Sequence, residues 1–127
     1  MAITQIEIGT PSNEFIFTDT AMGSSADGIK GSSTRLYSVT IDNSANGGAA
    51  SYVKLFNLLS GSVTVGTTAP DEVIYVPGGA VVTRNFWTGA APGLVFGTGL
   101  SACCVTTGGT AGAVAPSSSV IVSVNYV

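Results

Sequence analysis

The sequence contains no histidine, and only 9% of its 127 residues are charged, against about 25% in an ordinary globular protein. Without histidine the usual general base is missing, and so is the commonest metal ligand. A Ser-His triad is excluded. A Ser–Lys arrangement needs a buried, tuned lysine, and Lys54, mid-strand in "SYVKLFN", reads as an ordinary solvent-facing or interface residue. No enzymatic activity and no cofactor are expected. The four basic residues, Lys30, Arg35, Lys54 and Arg84, are scattered, and the net charge is −3. Nothing gathers to neutralise phosphates, so no nucleic-acid partner is expected. No apolar run approaches the ~20 residues of a membrane span. The opening "MAITQIEIGT" lacks a basic n-region, a continuous apolar run and a cleavage site. The chain is expected to stay in the cytoplasm that makes it, unless it leaves inside a larger particle.

Cysteine is nearly absent too. Cys103 and Cys104 are adjacent, so on a strand they point to opposite faces and are badly placed for a mutual disulfide. They read as two small hydrophobes, one of them facing the core. With no further ligands near them, no metal site is expected.

Helical periodicity is missing throughout, and β-patterning takes its place. Apolar residues alternate or run in short bursts between turn signals. In "TRLYSVTIDN", Tyr37, Val39 and Ile41 face one way. In "SYVKLFN", Val53 and Leu55 oppose Tyr52, Lys54 and Phe56, so both faces carry bulk. "DEVIYV" and "AVVTRNF" flank "PGG", which reads as a hairpin turn. "SVIVSVNYV" puts Val120, Val122, Val124 and Tyr126 on one face. With "ITQIEI" and "EFIFT" this makes roughly eight to ten strands, the number expected of an all-β, two-sheet antiparallel sandwich, of jelly-roll type. One domain of this length buries roughly 65–70% of its unfolded surface and folds without metal or disulfide.

Three stretches imitate functional motifs. "GTGLSA" (97–102) matches a dinucleotide-binding fingerprint in letters, but β-rich "CCVTT" follows where a helix is required, so Gly97 and Gly99 are assigned to a bend or bulge. "DNSANG" (42–47) opens like a calcium loop, yet its twelfth position is Val53 where a bidentate glutamate is needed. A turn joining two strands is expected instead. Asp71 and Glu72, adjacent on the chain, diverge and do not form a hydrolytic pair.

The succession "YVKLFN", "VTVGTTAPDEVIYVPGGAVV", "GLVFGTGLS" and a Ser/Thr/Gly/Ala tail ending in "IVSVNYV" resembles small β-sandwich virion proteins of tailed bacteriophages and cyanophages, including capsid decoration or cement proteins. The resemblance covers roughly residues 37 to 127. It implies a jelly-roll domain that binds the assembled shell as a homotrimer or other small oligomer, with the major capsid protein and copies of itself as partners, on the capsid surface of a virion assembled in the host cytoplasm. A tail-fibre or receptor-binding domain recognising carbohydrate or a host surface is the alternative, with Phe86 and Trp87 as its candidate contacts; core or subunit packing is the other reading of Trp87. Scarce charge agrees with close association. Residues 1–20 stand apart from the domain at 21–127. Ile3, Ile6, Ile8, Phe15 and Phe17 carry more apolar surface than a free tail would, and the segment reads either as an arm contacting a partner or as the first strand of the sandwich.

Overall fold

The computed structural model describes residues 14–88 and 91–127; the side chains of 87, 88, 91 and 92 lie outside that description. The elements in chain order are β1 (Phe15–Asp19), β2 (Asp27–Lys30), β3 (Thr34–Asp42), β4 (Ser51–Phe56), β5 (Glu72–Val76), β6 (Val81–Asn85), β7 (Trp87–Thr88), β8 (Ala91–Pro92), β9 (Leu94–Phe96), β10 (Leu100–Val105) and β11 (Ile121–Tyr126). A three-residue 3-10 turn at Ser60–Ser62 is the one helical element among the described residues.

All strand pairs among the described residues are antiparallel, and they make two large sheets and a small β7–β8 ribbon. The first runs β1-β11-β3, with β6 and β9 sharing the far edge of β3: β6 covers its second half and β9 its first. The second runs β2-β10-β4-β5. Each connection between sandwich strands crosses from one sheet to the other, except β4 to β5 and the return from β6 through the β7–β8 ribbon to β9. A five-stranded and a four-stranded layer are joined in this way. The fold is an all-β, two-sheet antiparallel sandwich.

Period-two burial explains why the sheets stack. Val39 and Ile41 of β3, Val122 and Val124 of β11, and Phe17 of β1 meet Val53, Leu55, Ile74, Val76, Ala102 and Cys104 of the other sheet. The β3 register departs from simple alternation. Leu36 pairs with Tyr126 and Ser38 with Asn125, which leaves Tyr37 as a bulged extra residue. Leu36 therefore takes the core position that alternation assigns to Tyr37, and Tyr37 is buried outside the central cluster.

The "PGG" turn does not close a hairpin. β5 belongs to one sheet and β6 to the other, so the turn is an arch over the end of the sandwich. Gly79, at φ 76°, adopts the left-handed conformation that the reversal requires, and its N–H donates to the carbonyls of Asn43 and Asn46. Across the sandwich rim, Arg84 of β6 and Glu72 of β5 form a 3.0 Å ion pair that ties the two sheets together.

Candidate docking surface

The outer faces of the two sheets differ. Beyond the second sheet, Phe56, Cys103 and Val105 point away from the core yet are fully buried, covered by Tyr52, Leu58, Val63 and Val65. The loops over 57–71 and 106–119 do the covering. Ser101 Oγ donates to the Leu58 carbonyl at 2.7 Å. Lys54 Nζ donates to the carbonyls of Gly112 at 2.6 Å and Thr110 at 3.4 Å. Gly112 has to be glycine here, because a Cβ would lie 2.0 Å from the Thr107 carbonyl oxygen.

One expectation is corrected at this face. Lys54 is 1% exposed, neither solvent-facing nor at an interface; it pins the chain's own loop through carbonyl oxygens. The cysteines point to opposite faces as expected, Cys104 into the inter-sheet core and Cys103 beneath the loops, and both are buried. Burial pushes the Cys103 thiol up to about 11, partly offset by the Lys54 ammonium, and the Cys104 thiol up to about 12. Both are held as inert thiols. The bulk on both sides of "SYVKLFN" is thus consumed within the chain.

The outer face of the first sheet has no such covering from the described loops. Strand register places Thr18, Ser123, Thr40 and Thr83 in one row across β1, β11, β3 and β6. Their hydroxyls pair at 3.2 Å (Thr18 with Ser123) and 3.1 Å (Thr40 with Thr83). The next row holds Ile16, Asn125, Ser38 and Asn85. The row on the other side holds Ile121, Asp42 and Val81. Ile16 is 72% exposed, and Val81, Val95 and Ile121 are exposed as well. These rows form a broad face of neutral hydroxyls and amides edged with apolar side chains, with Asp42 as their one formal charge.

The residues singled out from sequence do not form one patch. Phe15 and Phe17 lie on β1, at one edge of the first sheet, and Phe86 follows β6 at the opposite edge. Phe15 is half exposed and its ring lies 5.7 Å from that of Tyr126. Phe17 packs against the core, as does Phe86, whose ring lies 5.1 Å from the Arg84 guanidinium. Ile3, Ile6 and Ile8 and the side chain of Trp87 lie outside the described residues. Phe15–Asp19 itself is a sheet strand, paired along its length with β11. Ile16, on the open face of that strand, went unnoticed in the sequence, although its position between Phe15 and Phe17 fixes its direction by alternation.

The calcium-like loop is a structural knot. Asp42 accepts from the Ser44 N–H at 2.9 Å, and hydrogen bonds from Ser44 hold its carboxyl below the ordinary range. Asn43 is fully buried. Its Nδ2 donates to the carbonyls of Ala49 at 3.0 Å and Pro77 at 3.1 Å, with Val76 at 3.4 Å. Its Oδ1 accepts from Asn46 Nδ2 and Ser51 Oγ, both at 2.9 Å. Asn46 in turn bonds Ser118 through both its N–H and its carbonyl. At "GTGLSA", a bend leads into β10 and the register with β2 shifts between Leu100 and Ser101, while Asn57 Oδ1 accepts from the Thr98 N–H at 2.8 Å. No helix follows. Among the described residues no group of three or more Asp, Glu or Cys is placed to hold a metal.

No protein-family model matches the chain, and no curated protein matches it.

Proposed function

We propose that this chain is a non-enzymatic structural protein of a virion, a decoration or cement protein that docks on the assembled capsid and stabilises it. Under this reading it acts as a small oligomer, most simply a homotrimer, with the major capsid protein as its partner. The observation that carries the proposal is the contrast between the two outer faces. One is closed by the chain's own loops; the other presents neutral, mutually paired hydroxyls with apolar margins. Desolvating such a face strands few charges, so a complementary protein surface gains contact area at low electrostatic cost. The order of motifs over residues 37–127 supports the virion assignment, and the scarcity of charge supports close packing against a neighbour.

The test is pelleting of the purified chain with cognate capsid shells, beside its light-scattering mass in solution. Thr40→Arg and Ser123→Arg introduce charge at the centre of the open face and should abolish pelleting while the circular dichroism stays unchanged. Pelleting that survives both substitutions would remove the open face from the proposal. Carbohydrate binding without shell binding would favour a receptor-recognition domain instead.

A further inference from the structure

Of the chain's asparagines, two precede a small residue: Asn43 stands before Ser44 and Asn46 before Gly47. Asparagine is a thermolabile residue, most of all before glycine, where the following nitrogen is unhindered and the backbone swings freely into ring-closing geometry. Both lie between β3 and β4, and both side chains are buried. The fold grips the Asn46 amide at both ends. Its Nδ2 donates to Asn43 Oδ1 at 2.9 Å and to the Ser118 carbonyl at 3.1 Å, and its Oδ1 accepts from the Ser118 N–H at 3.0 Å. Its main chain is held as well: the N–H donates to the Asn43 carbonyl, and the carbonyl accepts from the Ala49 and Gly79 N–H groups. Gly47 differs. It is exposed, its φ is outside the left-handed region, and a Cβ there would meet nothing within 4 Å.

We propose that Asn46–Gly47 is a deamidation site gated by the hydrogen bonds among Asn43, Asn46 and Ser118, with water as co-reactant, and that reaction there makes an opening of the arched end permanent. The Gly47 nitrogen, having lost its proton to solvent base, attacks Asn46 Cγ. The new N–Cγ bond forms, the Cγ–Nδ2 bond breaks, and Nδ2 leaves as ammonia after taking a proton from water. Water then opens the resulting succinimide at either carbonyl, leaving aspartate or isoaspartate at position 46. Cyclisation requires the side chain to turn back onto the Gly47 nitrogen, which surrenders all three amide bonds, so the closed loop suppresses it. After the reaction the loop cannot close as before. A carboxylate has no hydrogen for Asn43 Oδ1 or for the Ser118 carbonyl, and the isoaspartyl form inserts a methylene into a main chain held at both its N–H and its carbonyl. Each local opening thus carries a chance of becoming irreversible. The inference is independent of the docking reading.

The experiment incubates the full chain in warm, mildly alkaline buffer and follows position 46 by peptide mapping and mass spectrometry. Reaction in the folded chain should be slower than in the same chain unfolded in urea by roughly tenfold or more, the effect of losing three hydrogen bonds. Urea below the unfolding transition should speed it, and so should Asn43→Ala, which removes one of the partners; if that variant does not fold, the urea series decides alone. Gly47→Ala should keep the circular dichroism and urea midpoint of the unreacted chain yet lose most of the reaction in the unfolded state, because a methyl group shields the nitrogen. Modified chains, separated by their added negative charge, should unfold at lower urea than unmodified ones. Equal rates in the folded and unfolded chain would overturn the gate, and an unfolded chain that does not react would overturn the site. A modified chain with an unchanged urea midpoint would refute the permanent loss of the knot.

Discussion

Asn43→Ala should be the most damaging single substitution at the arched end of the sandwich. The amide orientation is dictated by its surroundings, with carbonyls around the nitrogen and donors around the oxygen. Two hydrogens serve three carbonyls, so the 3.4 Å contact to Val76 is the weak member, leaving four well-formed side-chain bonds. At about 0.5–1.5 kcal/mol net for each, their loss amounts to roughly 2–6 kcal/mol. Alanine restores none of the donors or acceptors left behind in a site with no access to water, so about 4 kcal/mol is the expected cost. That is a large part of the ~5–15 kcal/mol that holds a domain together, and corresponds to a Tm lower by roughly 15 °C. Asn43→Asp is the sharper comparison, because it keeps the volume but turns an acceptor toward the Ala49 and Pro77 carbonyls. Its damage at pH 7 should equal or exceed that of alanine and ease in acid, where a protonated carboxyl donates again. Urea unfolding followed by circular dichroism, at a concentration where the oligomeric state is fixed, measures both. A cost below about 1 kcal/mol for Asn43→Ala would refute the network as the element that joins the β3–β4 loop, the arch and the loop before β11.

Lys54→Ala should cost about 3–5 kcal/mol, from lost packing of the stem and the orphaned Gly112 carbonyl, and should speed amide exchange in residues 106–114; no change in that exchange would count against Lys54 as the loop's anchor. Native Cys103 and Cys104 should react with a thiol reagent only as fast as the protein unfolds, and labelling much faster than unfolding would contradict their burial. Asp27 is raised to about 6, first by burial, then by the hydrogen bond and charge of Asp19, while Asp19 is lowered, chiefly by that same hydrogen bond. With both ionised, Asp27 Oδ2 is buried without a donor, and a proton held on Asp27 supplies the missing bond. The folded state therefore holds this proton more tightly than the unfolded state, whose carboxyl titrates near 3.8. Its stabilisation is complete below that pH and lost as pH rises through about 6, by about 1 kcal/mol after allowance for solvent screening. Asp27→Asn should flatten the stability curve between pH 4 and 7, and an unchanged slope would exclude the pair as its source.

Strand existence and facing were legible wherever alternation is local. Val53 and Leu55, and Val122, Val124 and Tyr126, turn inward as their spacing requires. What alternation cannot encode is the partner sheet, and for that reason "PGG" looked like a hairpin: the letters of a tight reversal do not say whether it stays in one sheet or crosses to the other. The bulge at Tyr37 slipped the facing by one because it answers to a kink opposite Asn125 and Tyr126, far away in sequence. The burial of Lys54 and Cys103 depends on loops that fold back over the sheet, a long-range event with no local signature.

The pairing of β1 with β11 also has a consequence for synthesis. Among the described residues Phe15–Asp19 takes its strand partner from Ile121–Tyr126, a segment translated roughly 100 residues later. At translation rates of about 5–20 residues per second, β1 waits roughly 5–20 s in the nascent chain with Phe15, Ile16 and Phe17 uncovered. The first sheet is completed only when β11 arrives, and such distant pairing makes for slow closure. During that interval the first strand offers its edge and its apolar residues to whatever chaperone or sister chain stands nearest.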